Sequence, residues 1–152
     1  MAALSPEATR TLVAVAELLK GARDPWWVLG GAAVALHGLD IEVADVDVLM
    51  SARDLGKVLA TLGIARQDSV AIDRFRSDIW ARWTAQPLTV DLIAGFQVKV
   101  GDRWTAIAPK TREVAIVEGR TLHVPGRDEL IEILQLFGRP KDVARAEGLA
   151  RL

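Results

Sequence analysis

The sequence predicts an α+β fold, and three observations lead there. Apolar residues recur three and four positions apart in runs that begin at helix-capping residues and end at glycines. Between these runs lie short stretches rich in Val, Ile and Trp, bounded by Gly, Pro and charged residues, which read as strands. No repeat, low-complexity tract or linker breaks the 152 residues, a length that suits one domain spanning 1–152. At 51% apolar and 26% charged, the chain can bury a core and is not of disordered composition.

Ser5, Pro6 and Glu7 supply a capping hydroxyl, a first-turn proline and an acid near the positive helix end, so a helix starts there. Leu12, Val15, Ala16 and Leu19 form its packing stripe, and Gly21 stops it. Arg23-Asp24-Pro25 turns the chain into the stretch that organises the rest, residues 26–50, WWVLGGAAVALHGLDIEVADVDVLM. It reads as a strand over 26–29, a tight Gly30-Gly31 turn, a small-residue helix over about 32–37, a loop, and a second strand carrying Asp45 and Asp47. Ser51 caps the next helix, whose stripe is Leu55, Val58, Leu59 and Leu62 and whose end is Gly63.

Residues 64–78 are mixed, with Val70, Ile72 and Phe75 pointing to a short strand or loop. Residues 79–84 and 88–93 form a hairpin about Gln86-Pro87, and Asp91 lies inside its second strand. Four β-prone pieces follow over 96–124, QVKV, WTAIA, EVAIV and TLHV, with their pairing left open. Asp128 is placed to cap a helix carrying Leu130, Ile131, Leu134 and Phe137. Gly138-Arg139-Pro140 interrupts, and Asp142 is placed to cap a last helix through Ala150.

Strand side chains two apart share a face, so Asp45 and Asp47 point together. Two adjacent carboxylates repel each other and lose hydration, a cost that a cation between them relieves. The glycine pair lets backbone approach a ligand closely, and the helix amides after it can receive an anion such as phosphate. Asp45 follows Gly31 by fourteen positions, and Asp91 follows Asp47 by forty-four, in a strand that can run beside the first. If it does, three carboxylates converge on divalent cations, and a general base is available for a hydroxyl proton.

The ordered set Leu29-Gly30-Gly31, Ala33, Leu36-His37-Gly38, Asp45-Val46-Asp47 and Val90-Asp91-Leu92 resembles the nucleotidyltransferase superfamily in its minimal bacterial form. The closing Gly138-Arg139-Pro140-Lys141-Asp142 is similar to the end of small members grouped with abortive-infection and toxin-antitoxin nucleotidyltransferases. The resemblance implies a mixed β-sheet flanked by helices and transfer of NMP from an NTP to a hydroxyl. Gly30 and Gly31 would contact the triphosphate, Asp45 and Asp47 would ligate Mg²⁺ or Mn²⁺, and Asp91 would complete the metal site and activate the acceptor. The acceptor is left open among a small molecule such as an aminoglycoside-type antibiotic, a protein side chain and an RNA end.

The sequence departs from the pattern in two respects. Ile41 and Val43 stand where many relatives carry Arg and Thr, and Leu134 or Gln135 stands near a frequent lysine. The departures support a second reading, a catalytically weak or inactive protein that binds nucleotide or serves as a toxin-antitoxin partner. The small size further suggests that a protein partner or a homodimer completes the acceptor site.

Composition narrows the field. Nineteen basic against 20 acidic residues argue against general nucleic-acid binding. The absence of cysteine excludes disulfides, thiolate zinc and cysteine nucleophiles, and favours the cytoplasm. No segment approaches the roughly 20 apolar residues of a membrane span, and the amino terminus has no leader pattern. His37 reads as a locally packed helix-end histidine, Asp40 and Glu42 as solvated loop acids, and the five tryptophans mainly as core, with Trp80 or Trp83 able to stack on a base. Arg139, Lys141 and Arg145, diluted by Asp142 and Glu147, read as a solvated helix face with a role near the nucleotide open to Arg139 or Lys141.

Overall fold

The computed structural model describes residues 3–67 and 71–152. Helix α1 (Pro6–Leu18) begins as expected, the Ser5 hydroxyl accepting the Ala8 amide at 3.1 Å and Pro6 standing in the first turn. Strand β1 (Trp27–Leu29) runs without a separate turn into helix α2 (Gly30–Leu36), then come β2 (Val46–Leu49) and α3 (Ala52–Leu62). Next are β3 (Phe75–Trp83), β4 (Val90–Val100), β5 (Arg103–Ala106), β6 (Glu113–Val117) and β7 (Arg120–Val124), and the chain closes with α4 (Arg127–Phe137) and α5 (Pro140–Ala150).

The main sheet is mixed, in the order β1-β2-β4-β3, with β5 pairing along the far half of β4. Among the described residues only β2 and β4 run parallel, and the crossover between them carries α3 and β3. Strands β6 and β7 form a separate antiparallel hairpin. The core fills from several elements, with Leu12 and Val15 of α1, Val28 of β1, Val46 and Val48 of β2, Leu55 of α3, Leu92 of β4, and Leu130 and Leu134 of α4 all fully buried. Because strand residues alternate faces, sealing Val46 and Val48 in the core turns Asp47 to the opposite side.

Several expectations are corrected. The glycine pair lies inside the first turn of α2 rather than in a turn of its own, because Gly30 makes the bend alone at φ +62. Asp45 precedes β2, and Gln97–Val100 continues β4 instead of forming a new strand. Strand β3 starts earlier than residue 79, at Phe75, and Ile72 bridges to Phe75 while Val70 lies outside the described residues. Gly126, not Asp128, is the cap of α4, whose buried face is Leu130, Ile133, Leu134 and Phe137, leaving Ile131 only partly covered. Asp142 caps α5 from inside the helix, accepting the Arg139 amide at 3.3 Å and the Arg139 Nε at 2.6 Å.

One buried acid secures the entry to β1. Asp54 on α3, 3% exposed, accepts the amides of Arg23 and Asp24 at 3.0 and 2.9 Å, while the Ser51 hydroxyl donates to Asp24 at 2.6 Å. Removing the Asp54 carboxylate leaves two backbone donors without acceptors. Asp54→Ala is therefore expected to lower the unfolding free energy by about 2–3 kcal/mol in urea titrations, whereas an unchanged midpoint would mean that water replaces the carboxylate at no cost.

Candidate active site

The parallel pairing of β2 with β4 sets Asp47 opposite Asp91, on the same face of the sheet. Asp45 joins them from the residue just ahead of β2, and carboxylate oxygens of Asp45, Asp47 and Asp91 lie within 4.8 Å of one another. Asp45 is exposed; the other two are half-buried. Asp47 is pushed up to about 7, first by loss of hydration and then by repulsion from Asp45 and Asp91, with Arg139 and Lys141 pulling the other way. Leu29 lies opposite Asp47 in the β1–β2 pair, so the bend at Gly30 closes directly over it. A Cβ on Gly30 would sit 3.0 Å from Asp47 Oδ2, a tight contact, and the positive φ there strains any L side chain.

Cations surround the acids. In the β3–β4 register Arg82 faces Asp91, and its guanidinium donates to both carboxylate oxygens at 2.9 and 3.4 Å. Arg139, at the start of α5, is held by Asp142 and lies 4.8 Å over the ring of Phe75. Lys141 is exposed, and its charge reaches Asp47. Arg145 crosses the start of α2, where a Cβ on Gly31 would meet its guanidinium at 3.2 Å. An open cleft of about 220 Å³ leads away from Gly30, Asp47 and Asp91. Its far wall is aromatic, built on Trp80 and on Phe75, Phe96 and Phe137, whose ring centroids lie 5.1–5.8 Å apart.

Of the five residues singled out from sequence, Asp45, Asp47 and Asp91 meet with Gly30 in one place, and Gly31, next in the chain, lies against Arg145. Asp40 and Glu42 are exposed and stay outside the cleft lining. Trp80 lines the cleft while Trp83 is core, and of the other three only Trp26 is buried. His37 packs at long range rather than locally, its Nε2–H donating to the Pro125 carbonyl at 2.7 Å. The solvated-face reading of α5 is overturned for Arg139 and Arg145, which touch the site rather than solvent alone. Ile41 packs on the core and Val43 is buried, which explains why neither position is polar here. Arg82 was missed although its signal was present, since a hairpin folding about Gln86-Pro87 places residue 82 opposite 91.

No protein-family model and no curated protein matches the sequence. Solved structures do, and they define a nucleotidyltransferase fold. The chain superposes on TM1012 of Thermotoga maritima, a provisional nucleotidyltransferase, with a TM-score of 0.77 at 18% identity over 99% of this chain and 94% of that one. It also matches the lincosamide antibiotic adenylyltransferase LnuA in its lincomycin-bound form, with a TM-score of 0.58 and 13% identity over 97% of each chain. A third match is ANT(2″)-Ia in complex with adenylyl-2″-tobramycin, with a TM-score of 0.58 and 12% identity over 93% of this chain and 87% of that one.

The shift of Asp47 has a measurable consequence. Its carboxyl titrates at about 7 when folded against an ordinary 3.8, so folding takes up a proton between those values. The stability it contributes is fully present below the ordinary value and is lost as the pH rises through about 7. In buffer free of divalent metal, Asp47→Asn should flatten that part of the stability profile and be more stable than the wild type at pH 8, by about 1–3 kcal/mol in urea unfolding. Parallel profiles for the two proteins would show that folding does not raise the Asp47 carboxyl.

Proposed function

We propose that this chain, one nucleotidyltransferase-like domain over 1–152, transfers NMP from an NTP to a hydroxyl acceptor with Mg²⁺ or Mn²⁺. The observation that carries the reading is the convergence of three carboxylates beside the Gly30 bend, at the mouth of an open cleft, in a nucleotidyltransferase fold. The donor set fits a hard divalent ion, because it is all oxygen and because burial, and then the charges of Asp45 and Asp91, make the ionised Asp47 costly without a cation. Asp45, Asp47 and Asp91 would hold the metal, which when bound would neutralise phosphate charge and lower the pKa of the attacking hydroxyl.

The chain's own residues do the rest. Gly30 and Gly31 admit the triphosphate against the backbone, and Arg139, Lys141 and Arg145 supply cations that Ile41 and Val43 do not. Arg82 fixes the orientation of Asp91, which takes the proton of the acceptor hydroxyl. The acceptor oxygen bonds to the α-phosphorus, the α–β phosphoanhydride breaks, and pyrophosphate leaves with the electron pair. The aromatic wall gives a base or a flat acceptor a stacking surface, with Trp80 nearest the acids along β3. The lincosamide and aminoglycoside complexes of the structural matches favour a small-molecule hydroxyl over a protein or RNA acceptor.

A second reading, a weakly active or inactive nucleotide-binding or toxin-antitoxin partner, rests on the apolar character of Ile41 and Val43. Incubation with each labelled NTP and Mg²⁺ or Mn²⁺ separates the two through pyrophosphate release. Asp47→Asn and Asp91→Asn should each reduce transfer by roughly a thousandfold and weaken metal binding. Metal and NTP affinities equal to the wild type in both variants would remove the assignment. Lys141→Ala, on an exposed side chain, should raise the KM for NTP about fivefold with little change in melting temperature, and an unchanged KM would take Lys141 out of the triphosphate site.

A further inference from the structure

A second groove, of about 750 Å³, shares no lining residue with the cleft that carries the acids. It lies between the C-terminal end of α1, the segment that leads into β1, and the β6–β7 hairpin. Six of its lining residues are charged: Lys20, Arg23, Arg112 and Arg120 against Glu17 and Asp24.

Both acids are already engaged. Glu17 accepts Arg120 Nε at 2.7 Å. Asp24 accepts Arg53 at 2.7 and 2.8 Å and the Ser51 hydroxyl at 2.6 Å. These hydrogen bonds hold both carboxyls below their ordinary values, Asp24 at about 2, so both are ionised and compensated. Lys20, Arg23 and Arg112 have no carboxylate at ion-pair distance among the described residues. Lys20 and Arg23 still act through space on Glu17 and Asp24, but four cations against two acids leave the groove with a local positive excess in a chain of net charge -1.

The floor adds a polar atom without charge. His123 lies edge-on to Trp26 with ring centroids 5.0 Å apart, and its Nδ1 is buried with no hydrogen-bond partner. Burial, and then the charge of Arg112, lower its pKa and keep the ring neutral. A buried polar atom left unpaired is costly unless a ligand or water satisfies it.

We infer that this groove is a second ligand site for a small, multiply charged anion, whose phosphate or carboxylate groups bridge Lys20, Arg23 and Arg112. Several positive charges lining one groove are matched better by several negative groups than by one, which is why the ligand is multiply charged. A concave site in a chain without basic excess fits a small molecule better than a nucleic-acid backbone.

The test titrates the full chain calorimetrically in metal-free, low-salt buffer with tripolyphosphate and, separately, citrate, so that phosphate and carboxylate ligands are told apart. At least one should bind with a Kd below about 1 mM and weaken as salt is added. The Lys20→Glu, Arg112→Glu double variant should bind at least about tenfold more weakly, because two attractive charges become repulsive. All three cations are exposed, so the reversals should leave the melting temperature unchanged. Should it fall, Arg23→Gln alone should still cost about threefold. Lys141→Ala, beside the three acids, should bind citrate as the wild type does, and the His123 ring resonances should shift on titration. Failure of both probes to bind, equal affinity in the charge-reversed protein, or loss of citrate binding in Lys141→Ala would each overturn the inference. The groove variants leave the three acids untouched, so these outcomes are told apart from a failure of the nucleotidyltransferase reading, which is tested by pyrophosphate release from labelled NTP.

Discussion

Three carboxylates within 4.8 Å of one another repel, and backbone pairing holds them there all the same. Asp47 and Asp91 cannot move apart without breaking the parallel ladder between β2 and β4, whose other face carries Val46, Val48, Val90 and Leu92 in the core. The hydrophobic burial on one side of the sheet thus offsets the electrostatic cost on the other. Much of the surrounding structure reduces that cost. Arg82 takes both oxygens of Asp91, and the start of α5 brings Arg139 and Lys141 close enough for their charges to act on Asp47.

The same constraint explains the architecture around the site. Strand β4 pairs with β2, β3 and β5 and so positions an acid, its arginine partner and the aromatic wall from one rigid element. At Gly95 it passes through φ +68, where the Asp78 side chain fills the space a Cβ would need, and beyond that point it pairs with β5 rather than β2. The junction of α4 and α5 is fixed from the start of β3, where Arg74, just ahead of the strand, donates to the last carbonyl of α4 at 2.7 Å and Arg139 stacks on Phe75. That fixation gives α5 its bearing on the acids.

Local chemistry carried much of this in advance. Ser5 and Ser51 cap helices as their sequence context demands, Gly63 ends α3 in the left-handed region, and the hairpin about Gln86-Pro87 forms in the register its symmetry dictates. The errors fall where a local preference met a tertiary demand. Asp128 is a good capping residue, yet Gly126 takes the cap and Asp128 stays within the first turn. The polar pattern of α5 suits a solvated face, yet the start of the helix brings the charges of Arg139 and Lys141 to bear on the half-buried Asp47.

Strand alternation and the conformational freedom of glycine act over a few residues, so residue order alone linked Asp45 with Asp47 after the Gly30-Gly31 bend and marked Asp91 only as a strand residue able to join them. What it could not decide was anything resting on separations of thirty residues or more: the parallel pairing that sets Asp47 beside Asp91, the delivery of Arg139, Lys141 and Arg145 from the far end of the chain, and the grouping of Lys20, Arg23 and Arg112 across the hairpin. Charge interacts through space over several ångströms irrespective of position along the chain. Only the packed fold brings such distant charges within each other's reach.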